Sequence, residues 1–302
     1  MNNTVIVLEE GMPGLAAPLT HEQCASVSFF PDAVWGEAVT LAGGISGRIA
    51  RQGVPASVFL TGTCSSTFDL AWHLLRGGEL TDWASVVAYN QEKGKGQLGR
   101  HWHSPPGNVY VSFLLPEDPL FGMEAAALVC GYMVLLVLRA MRIPVVLKWP
   151  NDLLLEGGGG FIGKVAGLLL EERQGRVVAG LGINVREAPD TSLLRANHAI
   201  PATSLADAGR FIAPVTLWLE MLPRLQSYYT SSVRGLSMAG ILADLERGLA
   251  WKGERVRAGE PGREFAGTLK GLGPRGELLV ETREGLREIT SGSVALGEAE
   301  SR

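Results

Sequence analysis

Cysteine is scarce in this chain of 302 residues, and its three copies form no recognisable site. Cys24, Cys64 and Cys130 have none of the paired spacings of a zinc site, and an odd number leaves no complete disulfide framework. The pattern excludes a cysteine-based metal centre and the small, disulfide-rich class of secreted proteins. We expect three reduced, mostly buried thiols, as in a cytoplasmic protein.

Long apolar runs are also missing. The strongest, over residues 125–138, ends at Arg139 before it reaches the roughly 20 residues that a membrane-spanning helix needs. The first four residues, Met-Asn-Asn-Thr, lack the basic residues that open a secretory signal peptide. These absences predict a cytoplasmic protein with no membrane partner, in which residues 125–138 form a buried helix.

Positive charge is scarce at the start of the chain. The basic side chains of residues 1–60 are Arg48 and Arg51, and the acidic ones are Glu9, Glu10, Glu22, Asp32 and Glu37. Nucleic-acid-binding domains depend on lysine and arginine for their phosphate contacts. We therefore expect no helix-turn-helix and no nucleic-acid partner, in agreement with a net charge of −4 for the whole chain.

The composition otherwise indicates a well-packed globular protein with one large domain and one small one. Hydrophobic residues make up 46% of the chain and charged residues 19%. Apolar spacing predicts strands and helices in alternation, including a helix over residues 33–51. After Trp251, short alternating runs separated by glycine and proline turns predict a small antiparallel barrel. We expect an N-terminal extension at 1–60, packed on a main domain at 61–250, and the barrel at 251–302.

The most informative stretch is the glycine-rich loop, defined here as residues 94–102 with the sequence Gly-Lys-Gly-Gln-Leu-Gly-Arg-His-Trp. Its three glycines allow the backbone to curl closely around a ligand. Lys95 and Arg100 supply positive charge that suits phosphate oxygens, and Trp102 can fix the end of the loop to a core. The pattern indicates an anionic ligand such as a nucleotide or an adenylate, with a solvated hairpin as the alternative.

Two further segments place polar residues beside predicted strands. Ser66 or Thr67 lies at a strand-to-helix junction, where hydroxyls and backbone amides bind an anion or simply cap the helix. Residues 148–153, Lys-Trp-Pro-Asn-Asp-Leu, form either a ligand-facing turn or an ordinary tight turn. The residues alone leave both alternatives open.

The strands that follow carry a lysine and several glycines. Lys164 opens an otherwise apolar strand, where its charge is costly to bury unless an anion meets it. Gly167 allows another group to approach that strand closely. The glycines of residues 180–184, Gly-Leu-Gly-Ile-Asn, allow the same close approach to the next strand. Asn184, at the end of this segment, has an amide that can pair with the edge of an adenine.

Taken in order, these segments resemble the motifs of the bacterial biotin protein ligases. That family carries a Ser-Thr-Asn motif, a Gln before a Gly-Arg-Gly-Arg-x-Gly-Arg-x-Trp loop, a Lys-Trp-Pro-Asn-Asp turn, a Lys-x-Ala-Gly-x-Leu strand and a Gly-x-Gly-Ile-Asn strand. The corresponding residues are 66–68, 91, 94–102, 148–152, 164–169 and 180–184. With the tail at 285–296, the resemblance covers the chain beyond about residue 60.

The resemblance implies an α/β fold of the α+β type. Its catalytic domain is biotin/lipoate ligase-like, with a mixed, largely antiparallel sheet, and a small Src-homology-3-like β-barrel follows at the C-terminus. The implied activity is ATP-dependent ligation of biotin, through biotinyl-5′-adenylate, to a lysine of the biotin carboxyl carrier domain of a carboxylase. Biotin and ATP with Mg²⁺ are substrates, and no tightly bound prosthetic group is expected. A homodimer is one assembly that the sequence leaves open.

The resemblance also assigns roles by position. Lys164, bridging the biotin carboxyl and the α-phosphate, and Arg100, contacting phosphate, are the expected catalytic residues. The residues expected to contact biotin are Ser66, Thr67, Phe68, Gln91, Lys95, Gly96, Gln97, Trp102, Lys164 and Gly167. Those expected to contact the nucleotide are Gly94, Lys95, Gly99, Arg100, Asn151, Asp152 and Asn184. No resident metal site is expected, since Mg²⁺ arrives with ATP, and Asp152 is the candidate residue near it.

Three residues depart from the family pattern. Phe68 stands where the family usually has Asn, which removes a side-chain hydrogen bond to biotin. Lys95 keeps the charge of an arginine but loses its bidentate geometry, and Gln97 loses the charge altogether. We expect the loop to hold the adenylate less firmly, by about 1–2 kcal/mol on the scale of a charge-assisted hydrogen bond.

Two other functions stay open at this point. A lipoate or octanoate ligase shares the core architecture and adenylate chemistry, and an apolar residue at position 68 suits an acyl chain. The segment at 148–152 and the C-terminal barrel speak against it. A non-catalytic binder of biotin or nucleotide also fits the altered loop, but the presence of Lys164, Arg100 and Gln91 favours catalysis.

Overall fold

The computed structural model describes residues 3–26, 30, 35–41, 44–157, 160–189, 200–260 and 262–297. The chain divides into two compact units. The first unit comprises Met1–Asp118, Ala166–Ala188 and Ser204–Gln226, and the second comprises Pro119–Val165, Pro189–Thr203 and Ser227–Arg302. The predicted boundaries near residues 60 and 250 stay a prediction.

The elements are numbered in chain order. The strands are β1 Thr4–Leu8, β2 Ala38–Thr40, β3 Ser46–Gln52, β4 Val58–Cys64, β5 Ser85–Gln91, β6 Val109–Leu114, β7 Val145–Lys148, β8 Asp152–Gly157, β9 Gly160–Arg173, β10 Arg176–Ile183, β11 Arg255–Gly259, β12 Phe265–Leu272, β13 Leu278–Thr282, β14 Gly285–Ile289 and β15 Ser293–Leu296. The helices are α1 His21–Ser26, α2 Thr67–Arg76, α3 Ala126–Ala140, α4 Pro214–Tyr228 and α5 Met238–Leu245.

The first unit is built on a mixed, largely antiparallel sheet with the order β2-β3-β1-β4-β5-β6-β10-β9. The parallel pairs are β1 with β4 and β4 with β5. Helix α2 packs on this sheet through Leu70, Ala71 and Leu74, all of which are buried in one apolar core with Phe59 and Leu114. The sheet confirms the predicted fold class.

The predicted helix over residues 33–51 is wrong in its described part, because strands β2 and β3 form there as a hairpin. Residues 33–34 and 42–43 lie outside the described residues. Gly44 takes a positive φ of 80° at the turn, and Leu41 N donates to Ile45 O at 2.8 Å. Strand β3 then pairs with β1, which lies between β3 and β4 in the sheet. Pairing with distant strands overrides the weak helical spacing.

The second unit contains two sheets and the buried helix α3. Strands β7, β8 and the start of β9 are neighbours in the order β9-β8-β7. Helix α3 confirms the buried helix predicted at 125–138, and it approaches β7 so closely that a Cβ on Gly131 would lie 2.5 Å from Leu147 Cδ1. The C-terminal strands form a five-stranded antiparallel sheet ordered β14-β13-β12-β11-β15, as the turn spacing predicted.

In the segments that the structure describes, no helix combines the length and the apolar character needed to cross a bilayer.

Candidate active site

Hydrogen bonds join the start of α2 to the end of β5. Because β4 and β5 are parallel and pair Cys64 with Gln91, the helix that follows β4 begins beside Gln91. Gln91 Oε1 accepts from Thr67 N at 2.8 Å and from Thr67 Oγ1 at 3.1 Å. Gln91 Nε2 donates to Ser104 Oγ at 3.0 Å, and Ser112 Oγ donates to Thr67 Oγ1 at 2.8 Å. Two residues expected to contact biotin are therefore held together in one fixed network.

Ser66 and Phe68 have structural roles in the same place. Ser66 is the N-cap of α2, and its Oγ accepts from Phe68 N at 3.3 Å. The Phe68 ring is buried in the apolar core of the first unit and rests against Gly180, where an added Cβ would lie 2.4 Å from the ring. The ring therefore occupies space that any side chain at 180 would need.

The glycine-rich loop is a narrow hairpin. Trp102 N donates to Gly94 O, and Gly96 N donates to Arg100 O, both at 2.8 Å. Gly94 is needed for this closeness, since a Cβ there would lie 2.3 Å from Trp102 O. Leu98 at the tip takes a positive φ of 56° and is exposed, as is Arg100.

Trp102 covers a face of the sheet made by glycines. A Cβ on Gly182 would lie 2.6 Å from the Trp102 ring, and Gly182 pairs directly with Gly167. Residues opposite one another in an antiparallel pair point to the same face, so Gly167 and Gly182 share the face that Trp102 covers.

Lys95 is bound to two carboxylates. Its Nζ lies 2.7 Å from Asp69 Oδ1 on α2 and 3.1 Å from Glu171 Oε1 on β9. Burial alone would lower the pKa of Lys95, but hydrogen bonds and charge from Asp69 and Glu171 outweigh it and raise that pKa. The side chain therefore stays positively charged.

In the second unit, Asp152 lies between two lysines. Lys148 Nζ is 3.0 Å from Asp152 Oδ2, and Lys164 Nζ is 2.6 Å from Asp152 Oδ1. Burial opposes ionisation of this carboxyl, but the charges and hydrogen bonds of Lys164 and Lys148 lower its pKa from 3.8 to about 2. Two ammonium groups and one carboxylate carry a net positive charge, which favours an anionic ligand.

The backbone around Lys164 is fixed by the segment that follows Ile200. Lys164 N donates to Pro201 O at 2.7 Å, and Thr203 N donates to Lys164 O at 2.9 Å. Gly163 permits this approach, because a Cβ there would lie 2.4 Å from Pro201 O.

Two asparagines expected near the nucleotide are both buried. Asn151 is 5% exposed, directly after the cis Trp149–Pro150 peptide bond, and Asn184 is 3% exposed, directly after β10. Asn108 holds the segment after Asn184, since its Oδ1 accepts from the backbone N of Val185 at 2.8 Å.

The predicted site residues fall into both units. Those in the first unit are Ser66, Thr67, Phe68, Gln91, Gly94, Lys95, Gly96, Gln97, Gly99, Arg100, Trp102, Gly167 and Asn184, and those in the second are Asn151, Asp152 and Lys164. Sequence reasoning missed the residues that orient them, namely Asp69, Ser104, Asn108, Ser112 and the Glu171 carboxylate. A buried polar residue inside an apolar strand, as at Ser112, was the available signal.

In the described part of the chain, the cysteines form no disulfide and the acidic residues form no metal cluster. Cys24, Cys64 and Cys130 are buried and form no disulfide, and burial raises the pKa of Cys64 and of Cys130 to about 12. Across the same residues, no three His, Cys, Asp or Glu side chains come together as a metal site.

Known proteins match the chain over most of its length. The model of the biotin/lipoate A/B protein ligase family matches residues 62–186, and that of the biotin protein ligase C-terminal domain matches residues 253–297. The bifunctional ligase/repressor BirA of Bacillus subtilis is 30% identical over 243 residues, which cover 74% of this chain and 70% of the relative. The biotin–[acetyl-CoA-carboxylase] ligase of Mycobacterium tuberculosis is 28% identical over 250 residues, which cover 77% and 85%.

A solved structure of a biotin protein ligase is also similar to this chain. The biotin protein ligase from Aquifex aeolicus, in complex with biotin and ATP, superposes with a TM-score of 0.65 at 30% identity. The match covers 80% of this chain and 99% of that one. With the motifs in family order on the strands, turn and loop described above, this chain belongs to the biotin protein ligase family.

Proposed function

We propose that this chain is an ATP-dependent biotin protein ligase, with the biotin carboxyl carrier domain of a carboxylase as its acceptor. The biotin carboxylate attacks the α-phosphate of ATP, pyrophosphate leaves, and biotinyl-5′-adenylate remains. A lysine amine of the carrier then attacks the carbonyl of this mixed anhydride, AMP leaves, and an amide forms. The observation that carries the proposal is the positively charged Lys148–Asp152–Lys164 cluster at the family's motif positions.

The first step brings two anions together, so its barrier depends on positive charge held in place beforehand. Lys164 supplies that charge to the biotin carboxylate and the α-phosphate. An ammonium has three N–H donors, and Asp152 takes one of them, which aims the group while leaving it charged. Lys148 binds the other oxygen of Asp152 and keeps the carboxylate from cancelling the charge of Lys164.

The glycine-rich loop covers the adenylate in this proposal. Arg100 is exposed next to the tip of the hairpin, where its guanidinium is available to phosphate oxygens. Gly94, Gly96 and Gly99 let the backbone approach the ligand, and Gln97 adds a neutral amide. Excluding water at this point protects the anhydride from hydrolysis.

Biotin binds on the first-unit residues at the start of α2. Thr67 and Gln91 present oriented polar groups for its polar end, with Ser66 fixing the helix terminus between them. Trp102 and the glycine face at Gly167 form an apolar wall for its rings. In the first unit, Asn184 is assigned to the adenine of the nucleotide. In the second unit, Asn151 is assigned to the nucleotide and Asp152 to the surroundings of the Mg²⁺ that ATP carries.

The other two candidate functions have less support. A lipoate ligase has no need of a biotin protein ligase C-terminal domain, which residues 253–297 match. Phe68 lies in the apolar core, so it does not enlarge a pocket for an acyl chain. A non-catalytic binder has no need of a lysine aimed by a buried carboxylate.

The proposal includes a cytoplasmic location, in keeping with three buried cysteines that form no disulfide. It also includes ligation without DNA binding, although the Bacillus subtilis relative is a ligase/repressor. The described part of residues 1–60 contributes strands β1, β2 and β3, the start of β4 and one six-residue helix to the first unit, and the segment is acidic.

Ligation is tested with the purified chain, MgATP, biotin and an apo carrier domain. The carrier is expected to gain the mass of one biotinyl group. Lys164→Ala is expected to abolish the gain, because the charge between the two anions is lost, whereas Lys93→Ala, on an exposed lysine of the same protein, retains it. Mass spectrometry of the carrier is the readout, and an unmodified carrier with the wild-type chain contradicts the proposal.

DNA binding is tested by fluorescence anisotropy with a random-sequence duplex pool at low and at physiological salt. We expect no saturable binding at physiological salt, because residues 1–60 have too few cations to replace phosphate counterions. Saturable binding of the duplex pool at physiological salt would refute this part of the proposal.

Gln97→Arg is expected to slow the release of biotinyl-adenylate about five- to thirtyfold, since it restores a charge-assisted hydrogen bond of about 1–2 kcal/mol. The release rate is measured by chasing preformed radiolabelled adenylate with unlabelled biotin. Gln97→Met is the matched neutral control. Equal release rates for wild type and Gln97→Arg would show that position 97 has no part in retention.

Asp152→Asn is expected to destabilise the protein by about 2 kcal/mol at neutral pH, because it leaves two lysines uncompensated. The pKa of this carboxyl is lower in the folded state, about 2 against 3.8, so its stabilisation is present above about pH 4 and is lost as pH falls toward 2. Urea unfolding from pH 7 to pH 3 should show the difference shrinking in acid.

The control for this measurement is Glu156→Gln, on the same strand β8, which should show no such pH dependence. A difference between wild type and Asp152→Asn that stays constant down to pH 3 would mean that the carboxylate's charge is not what stabilises the cluster.

A further inference from the structure

Lys95, Asp69 and Glu171, named here the loop anchor, join the glycine-rich loop to α2 and β9. We propose that Lys95 is a positioning residue, which fixes the base of the loop through these two carboxylates instead of binding the phosphate itself. The inference rests on the proposed function for what the loop covers. It assigns the phosphate contact of the loop to Arg100 alone.

The geometry of the anchor is that of a bridge between separate elements. Lys95 Nζ lies 2.7 Å from Asp69 Oδ1 and 3.1 Å from Glu171 Oε1. The backbone of Lys95 pairs with His101 across the hairpin, so holding the side chain also holds both arms of the loop at their base. The tip at Leu98 has no such restraint and is exposed.

Both carboxylates are also held by hydrogen bonds from residues other than Lys95. Ser65 Oγ donates to Asp69 Oδ2 at 3.2 Å. Glu171 Oε2 accepts from Trp72 Nε1 at 2.8 Å and from Arg173 Nη2 at 2.9 Å. The Arg173 guanidinium in turn stacks on the Trp72 ring, 4.8 Å from its centroid. Acceptors held in this way bind the ammonium with less loss of side-chain freedom.

The charge balance opposes any move of Lys95 toward a phosphate. Asp69 and Glu171 carry two negative charges, which Lys95 and Arg173 neutralise. Removing Lys95 would take from Asp69 the ammonium that balances its charge and would leave Glu171 paired with Arg173. A phosphate bound at Lys95 would be repelled by both carboxylates. The side chains of the anchor are only 21–35% exposed, so water screens this repulsion incompletely.

Two departures from the family motif meet in this cluster. Lys95 Nζ lies 5.8 Å from the centroid of the Phe68 ring, which packs on Gly180 underneath. A lysine ammonium is a compact charge that two carboxylates on different elements can share, whereas the planar guanidinium of an arginine favours a single bidentate partner. Phe68 and Lys95 are therefore parts of one local arrangement, which stabilises the base of the loop.

The test measures trypsin cleavage after Arg100 in the full-length protein without added ligand. Cleavage of an exposed loop follows the population of its open form. Lys95→Met and Glu171→Gln are each expected to raise the cleavage rate about three- to tenfold, the scale of one or two partly exposed ion pairs. The double variant should be no faster than Lys95→Met, because Lys95→Met already removes the contact with Glu171.

The matched controls are Lys93→Met, an exposed lysine just before the loop, and Glu172→Gln, an exposed residue next to Glu171. Neither should change cleavage after Arg100. Cleavage requires neither biotin nor ATP, so the anchor can be judged even if the ligation assay fails. Cleavage after Arg100 that stays at the wild-type rate in Lys95→Met would overturn the proposal.

A second measurement separates positioning from direct contact. If Lys95 positions the loop, Asp69→Asn, Glu171→Gln and Lys95→Met should all raise the KM for ATP. If Lys95 binds phosphate directly, the two carboxylate variants release it toward the nucleotide, and their KM for ATP should stay equal or fall. That second result would also overturn the proposal.

Discussion

Carboxylates that hold lysines in place are the constraint on which the proposed chemistry depends in each of the two units. Asp152 lies between Lys148 and Lys164, and Asp69 and Glu171 lie on either side of Lys95. A reaction between two anions needs cations whose positions are set in advance, because reorienting them during the reaction would raise the barrier. The side-chain charges around Asp152 sum to a net positive charge, which suits an anionic ligand. Those around Lys95 sum to zero, which suits a contact that holds the loop in place.

The sequence was most informative where local chemistry decides the structure. The apolar run at 125–138 became α3, the cap at Ser66 begins α2, and the alternating tail became a five-stranded sheet. The polar residues of the family motifs could be located because their order along the chain and their spacing match the family pattern. The fold class followed from the same resemblance and is confirmed.

What the sequence did not reveal depends on partners far along the chain. Lys95 is separated by 26 residues from Asp69 and by 76 from Glu171, and no local pattern marks those carboxylates as its partners. The spacing at 33–51 favoured a helix because the pairing of β3 with β1 is invisible to a short window. Charge type is a local property of sequence, but charge pairing depends on topology.

The contact between Phe68 and Gly180 ties two positions on different elements together through shape alone. While the Phe68 ring is present, position 180 has no room for any side chain, so Gly180 cannot be replaced unless residue 68 changes as well. A smaller residue at 68 would leave a void beneath the loop, and only then would position 180 be free to fill it. Change at these sites must therefore proceed in one order, with the helix position altered first and the strand position second.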